Sequence, residues 1–201
     1  GNGVTLTSNG AEDGMIIKYN EKGEAQWAKK IGGSNYDYIQ SVIEASDGGY
    51  IVGVNLATAT LGGTIGDKEI DLGNNVIVNY SSSDGMIIKY NEKWEAQWAK
   101  AIGGSDSDCI ESIALTSDRG AIVVGYFYSE SIDLGNGITL NTNGNTDGMI
   151  IKYNEKGEAQ WAKGIGGSNN DYINSVASTS DGGAIVVGNF NSESIDLGNG
   201  V

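Results

Sequence analysis

The chain has 201 residues, 39% of them hydrophobic, with 32 glycines, no proline, no histidine, one cysteine and a formal net charge of −14. It is long enough to bury a sizeable core; the charge argues against nucleic acid and anionic membrane partners, and no apolar run approaches the ~20 residues of a membrane span. Without histidine there is no Ser-His-Asp site, histidine zinc site or imidazole shuttle, and the lone Cys109 excludes an internal disulfide or a thiolate metal cluster.

Along the chain, Asp-Gly-Met-Ile-Ile-Lys-Tyr-Asn starts at Asp13 and returns at Asp84 and Asp147. Glu21–Lys29 follows the first copy and is repeated word for word at Glu155–Lys163; the second copy departs at Trp94, where the others have Gly23 and Gly157. Ile-Gly-Gly-Ser comes next, at Ile31, Ile102 and Ile165. Ser-Asp-Gly-Gly follows at Ser46 and Ser180, and becomes Ser-Asp-Arg-Gly at Ser117. Ile-Asp-Leu-Gly-Asn closes each unit at Ile70, Ile132 and Ile195. The period is 63 residues from Asp84 to Asp147 and 71 from Asp13 to Asp84, and Asn55–Glu69 holds the extra length. A fixed period marks one supersecondary unit copied along the chain. A residue present in every copy is therefore scaffold before it is active site.

The last copy shows the unit most fully. Met149–Tyr153 is a short apolar run, Asn154–Gly157 a turn, and Ala159–Ile165 an alternating strand, which together predict a hairpin. Gly166–Asp171 is a polar loop. Ile173–Thr179 predicts a third strand, Asp181–Gly183 a tight turn, and Ala184–Val187 a fourth strand apolar on both faces. Ser129–Thr146 is a linker, with a short fifth strand expected at Ile138–Leu140. Four antiparallel strands per unit at regular spacing predict propeller-type blades, with a β-solenoid as the alternative.

The run from Asp147 to Lys163, Ile-Gly-Gly-Ser from Ile165, and Ser175 to Gly188 together resemble the bacterial β-propeller repeat of large secreted and surface proteins. The resemblance covers nearly the whole chain. It implies an extracellular or cell-surface location and supplies no catalytic residues. In that reading Ile173–Thr179 is inner strand A, Ala184–Gly188 is strand B, and the Met149 hairpin is outer strands C and D. The fold class is then all-β, with three blade equivalents. Residues 1–36 are a C-D half, 37–104 a blade with an insertion at 55–69, 105–167 a blade, and 168–201 an A-B half. The chain opens and closes on Gly-Asn-Gly-Val. It is expected either to belong to a longer array or to join a second copy head-to-tail into a six-bladed ring, since unpaired half-blades expose edge strands.

Candidate sites fall in loops and at departures from the repeat. Asp37, Asp108 and Asp171 follow Gly-Gly-Ser and are candidate ligand-binding residues; Ca²⁺ is the conceivable ion there, no cofactor is called for, and turn capping is the structural alternative. Trp94 at a hairpin tip and Arg119 in a turn are expected on one rim, from adjacent blades, as a glycan or protein contact. Trp27, Trp98 and Trp161 are expected to pack between blades. Cys109 stands where Tyr38 and Tyr172 do and reads as a half-buried thiol. The whole reads as a non-enzymatic extracellular module that binds glycan or protein, or serves as a spacer or assembly unit. The alternative is a carbohydrate-active enzyme, for which two carboxylates suffice, although nothing selects a pair among 26 acidic residues.

Overall fold

The computed structural model describes residues 4–7, 12–32, 36–56, 69–80, 82–195 and 197, and places sixteen strands and no helix among them. β1 (Gly14–Tyr19) and β2 (Ala25–Ile31) form a hairpin. β3 (Asp37–Glu44) and β4 (Tyr50–Leu56) form the next, and a linker hairpin of β5 (Glu69–Asp71) and β6 (Ile77–Asn79) follows. Then come β7 (Gly85–Tyr90) and β8 (Ala96–Ile102), β9 (Asp108–Leu115) and β10 (Ala121–Phe127), and the linker strands β11 (Ser131–Asp133) and β12 (Thr139–Asn141). β13 (Asp147–Tyr153), β14 (Ala159–Ile165), β15 (Asp171–Ser178) and β16 (Ala184–Phe190) complete the order.

Two four-stranded antiparallel sheets result, β3-β4-β7-β8 and β9-β10-β13-β14. Each is a propeller-type blade with strands A to D in chain order. The end hairpins β1-β2 and β15-β16 are a C-D half and an A-B half. The short strand expected at Ile138–Leu140 is β12, shifted by one residue, and it pairs with β11 as a separate linker hairpin. Strand β15 begins two residues before the expected Ile173, because the buried Asp171 is paired with Phe190. Of the Asn55–Glu69 insertion, Asn55 and Leu56 belong to β4 and Glu69 opens β5; residues 57–68 lie outside the described residues.

The recurring polar residues build the turns. Asn154 Oδ1 accepts the N–H groups of Lys156 and Glu158, both at 2.9 Å, and its Nδ2 donates to Glu158 Oε2. Asn20 and Asn91 do the same in the other copies. In the A-B turn, Asp47 accepts from Gly49 N–H and binds Lys89 Nζ of strand C at 2.6 Å. Asp118 does likewise with Gly120 N–H and Lys152 Nζ, the latter at 2.5 Å. A charged clip thus joins the two hairpins of each whole blade. The lysines are buried, and the ion pair offsets the cost of burying an ammonium group.

The core lies between blades. Ile87, Ile102, Ile110, Val123, Phe127, Met149 and Tyr153 form one buried cluster. Val54, Met86, Ile88 and Tyr90 form another against Ile16 and Ile31 of the first hairpin. At the rim, Trp98 of β8 lies on the C-D turn of the following blade and donates Nε1–H to the Glu155 carbonyl at 3.1 Å. Gly157 in that turn has φ 74°, and a Cβ there would meet the Trp98 ring at 2.7 Å. At the preceding joint the turn carries Trp94 at φ 62°, and the ring of Trp27 meets it edge-on at 4.7 Å. Trp27 and Trp98 pack between blades as expected; Trp161, on the last strand D, stays exposed.

Gly157→Ala carries two penalties, a left-handed backbone worth ~1–2 kcal/mol and a collision with Trp98. Gly48→Ala carries only the first, since Gly48 has φ 79° and open space around it. Urea unfolding is expected to show a loss at Gly157 larger by about 1–3 kcal/mol; equal losses would mean that Trp98 does not hold this joint.

Candidate functional site

The second and third Gly-Gly-Ser loops, from Gly103 and Gly166, each converge on the acidic residue that opens the following strand A. Asp108 is fully buried. Its Oδ2 accepts from Gly104 N–H at 2.8 Å and Ser129 Oγ–H at 2.7 Å, and its Oδ1 from the N–H groups of Tyr128 at 3.0 Å and Ser129 at 3.2 Å. Asp171 repeats the clasp with Gly167, Asn191 and Ser192. The glycine allows the close approach: a Cβ on Gly104 would lie 2.5 Å from the Ser131 carbonyl oxygen. Burial pushes the Asp108 carboxyl above the usual range despite Ser129 and the backbone donors. Burial also acts upward on Asp171, but at the open end of the fold the same kinds of donors prevail and it lies below the usual range.

These contacts correct the reading of Asp108 and Asp171 as ligand-binding residues in favour of the capping alternative, and burial argues against ligand binding for Asp37 as well. All three are buried at the start of strand A. The carboxylates of Asp108 and Asp171 already accept four protein donors each, tying the D-A loop to the residues after strand B. Among the described residues no three Cys, Asp or Glu side chains are grouped so as to hold a metal ion.

Trp94 and Arg119 are not brought together as a pair. Trp94 is half-buried, stacked on Tyr50 at 4.6 Å and 13° and flanked by Trp27 and Tyr90. It packs a joint between blades where an exposed contact residue was expected. Arg119, at φ 68°, pairs with Glu155 at 3.4 Å and both side chains are exposed. Beside it, Lys152 holds Asp118 well down, at about 2, and Thr116 adds to the effect.

An aromatic cluster missed in the sequence lies on the opposite rim, at the end of strand B. Tyr126 meets Tyr172 edge-on at 5.0 Å and Tyr128 at 6.0 Å. Tyr128 is exposed and the other two are half-buried. At the equivalent place one blade earlier, Asn55 bridges to strand A of the next blade, with Nδ2 donating to the Ile110 carbonyl at 3.0 Å and Oδ1 accepting Ile110 N–H at 2.8 Å. Replacement of that amide by Tyr126 opens the joint to rings. The departure Asn55, Tyr126, Asn189 was visible on aligning the repeats. Cys109 pairs with Tyr126 across β9 and β10; burial pushes its thiol up, which disfavours the thiolate. Burial, the Cys109 thiol and nearby Glu111 push the Tyr126 hydroxyl up as well.

No protein-family model matches the chain. The uncharacterized WD repeat-containing protein L264 of Acanthamoeba polyphaga mimivirus is 27% identical over 215 residues, which is 95% of this chain and 15% of that protein. The regulatory protein FlaEY of Caulobacter vibrioides is 25% identical over 157 residues, 77% of this chain and 16% of that protein. The chain therefore spans only a small part of the length of the curated relatives it matches. The similarity to a WD-repeat protein agrees with a β-repeat fold.

Asp108→Asn puts an amide donor where two N–H or O–H donors need an acceptor. It is expected to lower unfolding free energy by about 3 kcal/mol, with calcium or a chelator moving neither protein's midpoint; a calcium-dependent midpoint would return these carboxylates to a ligand role. The Asp118 clip has a defined pH window. Its folded value is depressed, so its stabilisation is complete above the unfolded value of 3.8 and is lost as pH falls towards about 2. Asp118 is largely exposed, so screening limits the effect to under about 1 kcal/mol. Asp118→Asn should lower the melting temperature at neutral pH and narrow its gap from wild type between pH 4 and 2, as read by a thermal melt series.

Proposed function

We propose that the chain is a non-enzymatic protein-interaction module that presents the Tyr126, Tyr128 and Tyr172 cluster to a basic segment of a partner protein. The cluster carries this reading: at one joint rings replace an amide bridge, and one of those rings is exposed. Tyrosine faces accept Lys and Arg by cation–π contact. A net charge of −14 steers a basic partner towards the surface. The similarity to a WD repeat-containing protein supports an interaction module. The non-enzymatic reading is supported by the use of recurrent carboxylates as clasps and clips, and no cofactor enters it. The resemblance of the repeat to those of bacterial secreted and surface proteins supports an extracellular or cell-surface location. The A-B half-blade that carries Tyr172 also exposes an edge strand, and the two half-blades serve assembly.

Arrays of basic peptides and of glycans test the proposal, with and without Ca²⁺. Binding to Arg- and Lys-bearing peptides is expected, weakened at least about tenfold by Tyr128→Ala or Tyr172→Ala and unaffected by Arg119→Ala. Binding confined to glycans would make the module a lectin, and hydrolysis of a polysaccharide panel would make it an enzyme; either result overturns the proposal.

A further inference from the structure

The free hairpin at one end of the fold is the same hairpin that completes the last whole blade. Asp13–Lys29 and Asp147–Lys163 are identical residue for residue. The edge on which β13 docks is β10, Ala-Ile-Val-Val-Gly-Tyr-Phe; the free edge at the other end is β16, Ala-Ile-Val-Val-Gly-Asn-Phe. The molecule therefore carries both halves of a joint that it already makes internally.

Exposure shows what each half lacks. Phe190 is 64% exposed while its equivalent Phe127 is 0%, and Met15 is 64% exposed while Met149 is 0%. Tyr19, Ile185 and Val187 are exposed where Tyr153, Ile122 and Val124 are buried. An apolar hollow of about 200 Å³ opens between β14 and the last hairpin, lined by Ile165, Ile173, Val186 and Phe190 among others. In the whole blade the equivalent place is filled by Met149, Ile151 and Tyr153. The charges match too. Lys152 pairs with Asp118 across the B-C ladder, whereas Lys18 lies on one free half and Asp181 on the other.

Resting on the reading of these sheets as propeller blades, we infer that β16 of one copy pairs with β1 of a second copy, and β1 with β16 in return, closing a ring of two chains. The internal ladder fixes the register. Ala121 lies opposite Tyr153 and Phe127 opposite Asp147, so Ala184 lies opposite Tyr19 of the second copy, Ile185 opposite its Lys18, Val187 opposite its Ile16 and Phe190 opposite its Asp13. Asp181 clips its Lys18. Trp161, exposed here, lies on its Gly23 turn as Trp98 lies on Gly157, with Nε1–H donating to its Glu21 carbonyl. Two copies supply six blades, within the usual range of about 4 to 8; one copy supplies three and three copies nine, both outside it.

Light scattering on the 201-residue chain over a concentration series tests this, with far-UV circular dichroism as the check on blade formation. The expected mass is twice 21.0 kDa. A folded monomer throughout, or an open series of higher oligomers, overturns the ring and leaves the blades intact; loss of β-structure would instead count against the blade reading. Lys18→Glu and Asp181→Lys should each weaken the dimer at least about tenfold, and the two together in one chain should restore it. Val187→Lys, at a residue exposed in the single chain, should give folded monomers. Dimers insensitive to Val187→Lys, or no rescue in the double variant, overturn the stated register.

Discussion

The ladder between strands B and C is the interaction on which each blade depends. Strands A and B, and strands C and D, are local hairpins closed by tight turns; β4 and β7, or β10 and β13, meet only after a linker has been folded aside. Isolated two-stranded hairpins are marginal in water, and closing the linker costs entropy that only a productive ladder offsets. The buried lysines of strand C, clipped to Asp47 and Asp118 in the A-B turns, lie across that ladder. They favour it over a slipped alternative, because a one-residue shift would turn each lysine to the other face of the sheet.

The recurring polar residues have local structural uses. Asn20, Asn91 and Asn154 bind the turns that follow them, the lysines two residues earlier bind across the sheet in the whole blades, and Asp108 and Asp171 bind the loops that enter strand A. With these residues committed to the scaffold, the surface where the copies differ carries the proposed function. There the Tyr126 cluster offers exposed ring surface, while Trp94 is packed at a joint between blades and Arg119 forms a surface ion pair with Glu155.

The strands were legible in the sequence because three aligned copies share one alternation and one set of turn residues; Ala159–Ile165 has the same limits in both readings. What escaped depended on long-range packing. The donors to Asp108 include Ser129, 21 residues downstream in a linker, so its spacing after Gly-Gly-Ser looked like an open loop. Trp94 looked exposed because a hairpin tip usually is, and only the meeting of adjacent blades brings Trp27 over it. The tyrosine cluster draws Tyr172 from a different hairpin than Tyr126 and Tyr128, and it emerged only when the joint itself was visible.

The stacked pair of Tyr50 and Trp94 has a consequence for how such a chain finds its own partners. Two of its three C-D hairpins are indistinguishable over seventeen residues, and near-identical repeats are prone to exchange partners while folding. At the place of Tyr50 the other A-B hairpins carry Ala121 and Ala184, and at the place of Trp94 the other C-D hairpins carry glycine. Of the three C-D turns only this one offers a ring, Trp94, and of the three A-B hairpins only β4 offers Tyr50 to stack on it. The two aromatic residues act as an address label, matching the second C-D hairpin to the first whole blade and leaving the two interchangeable hairpins to the other places.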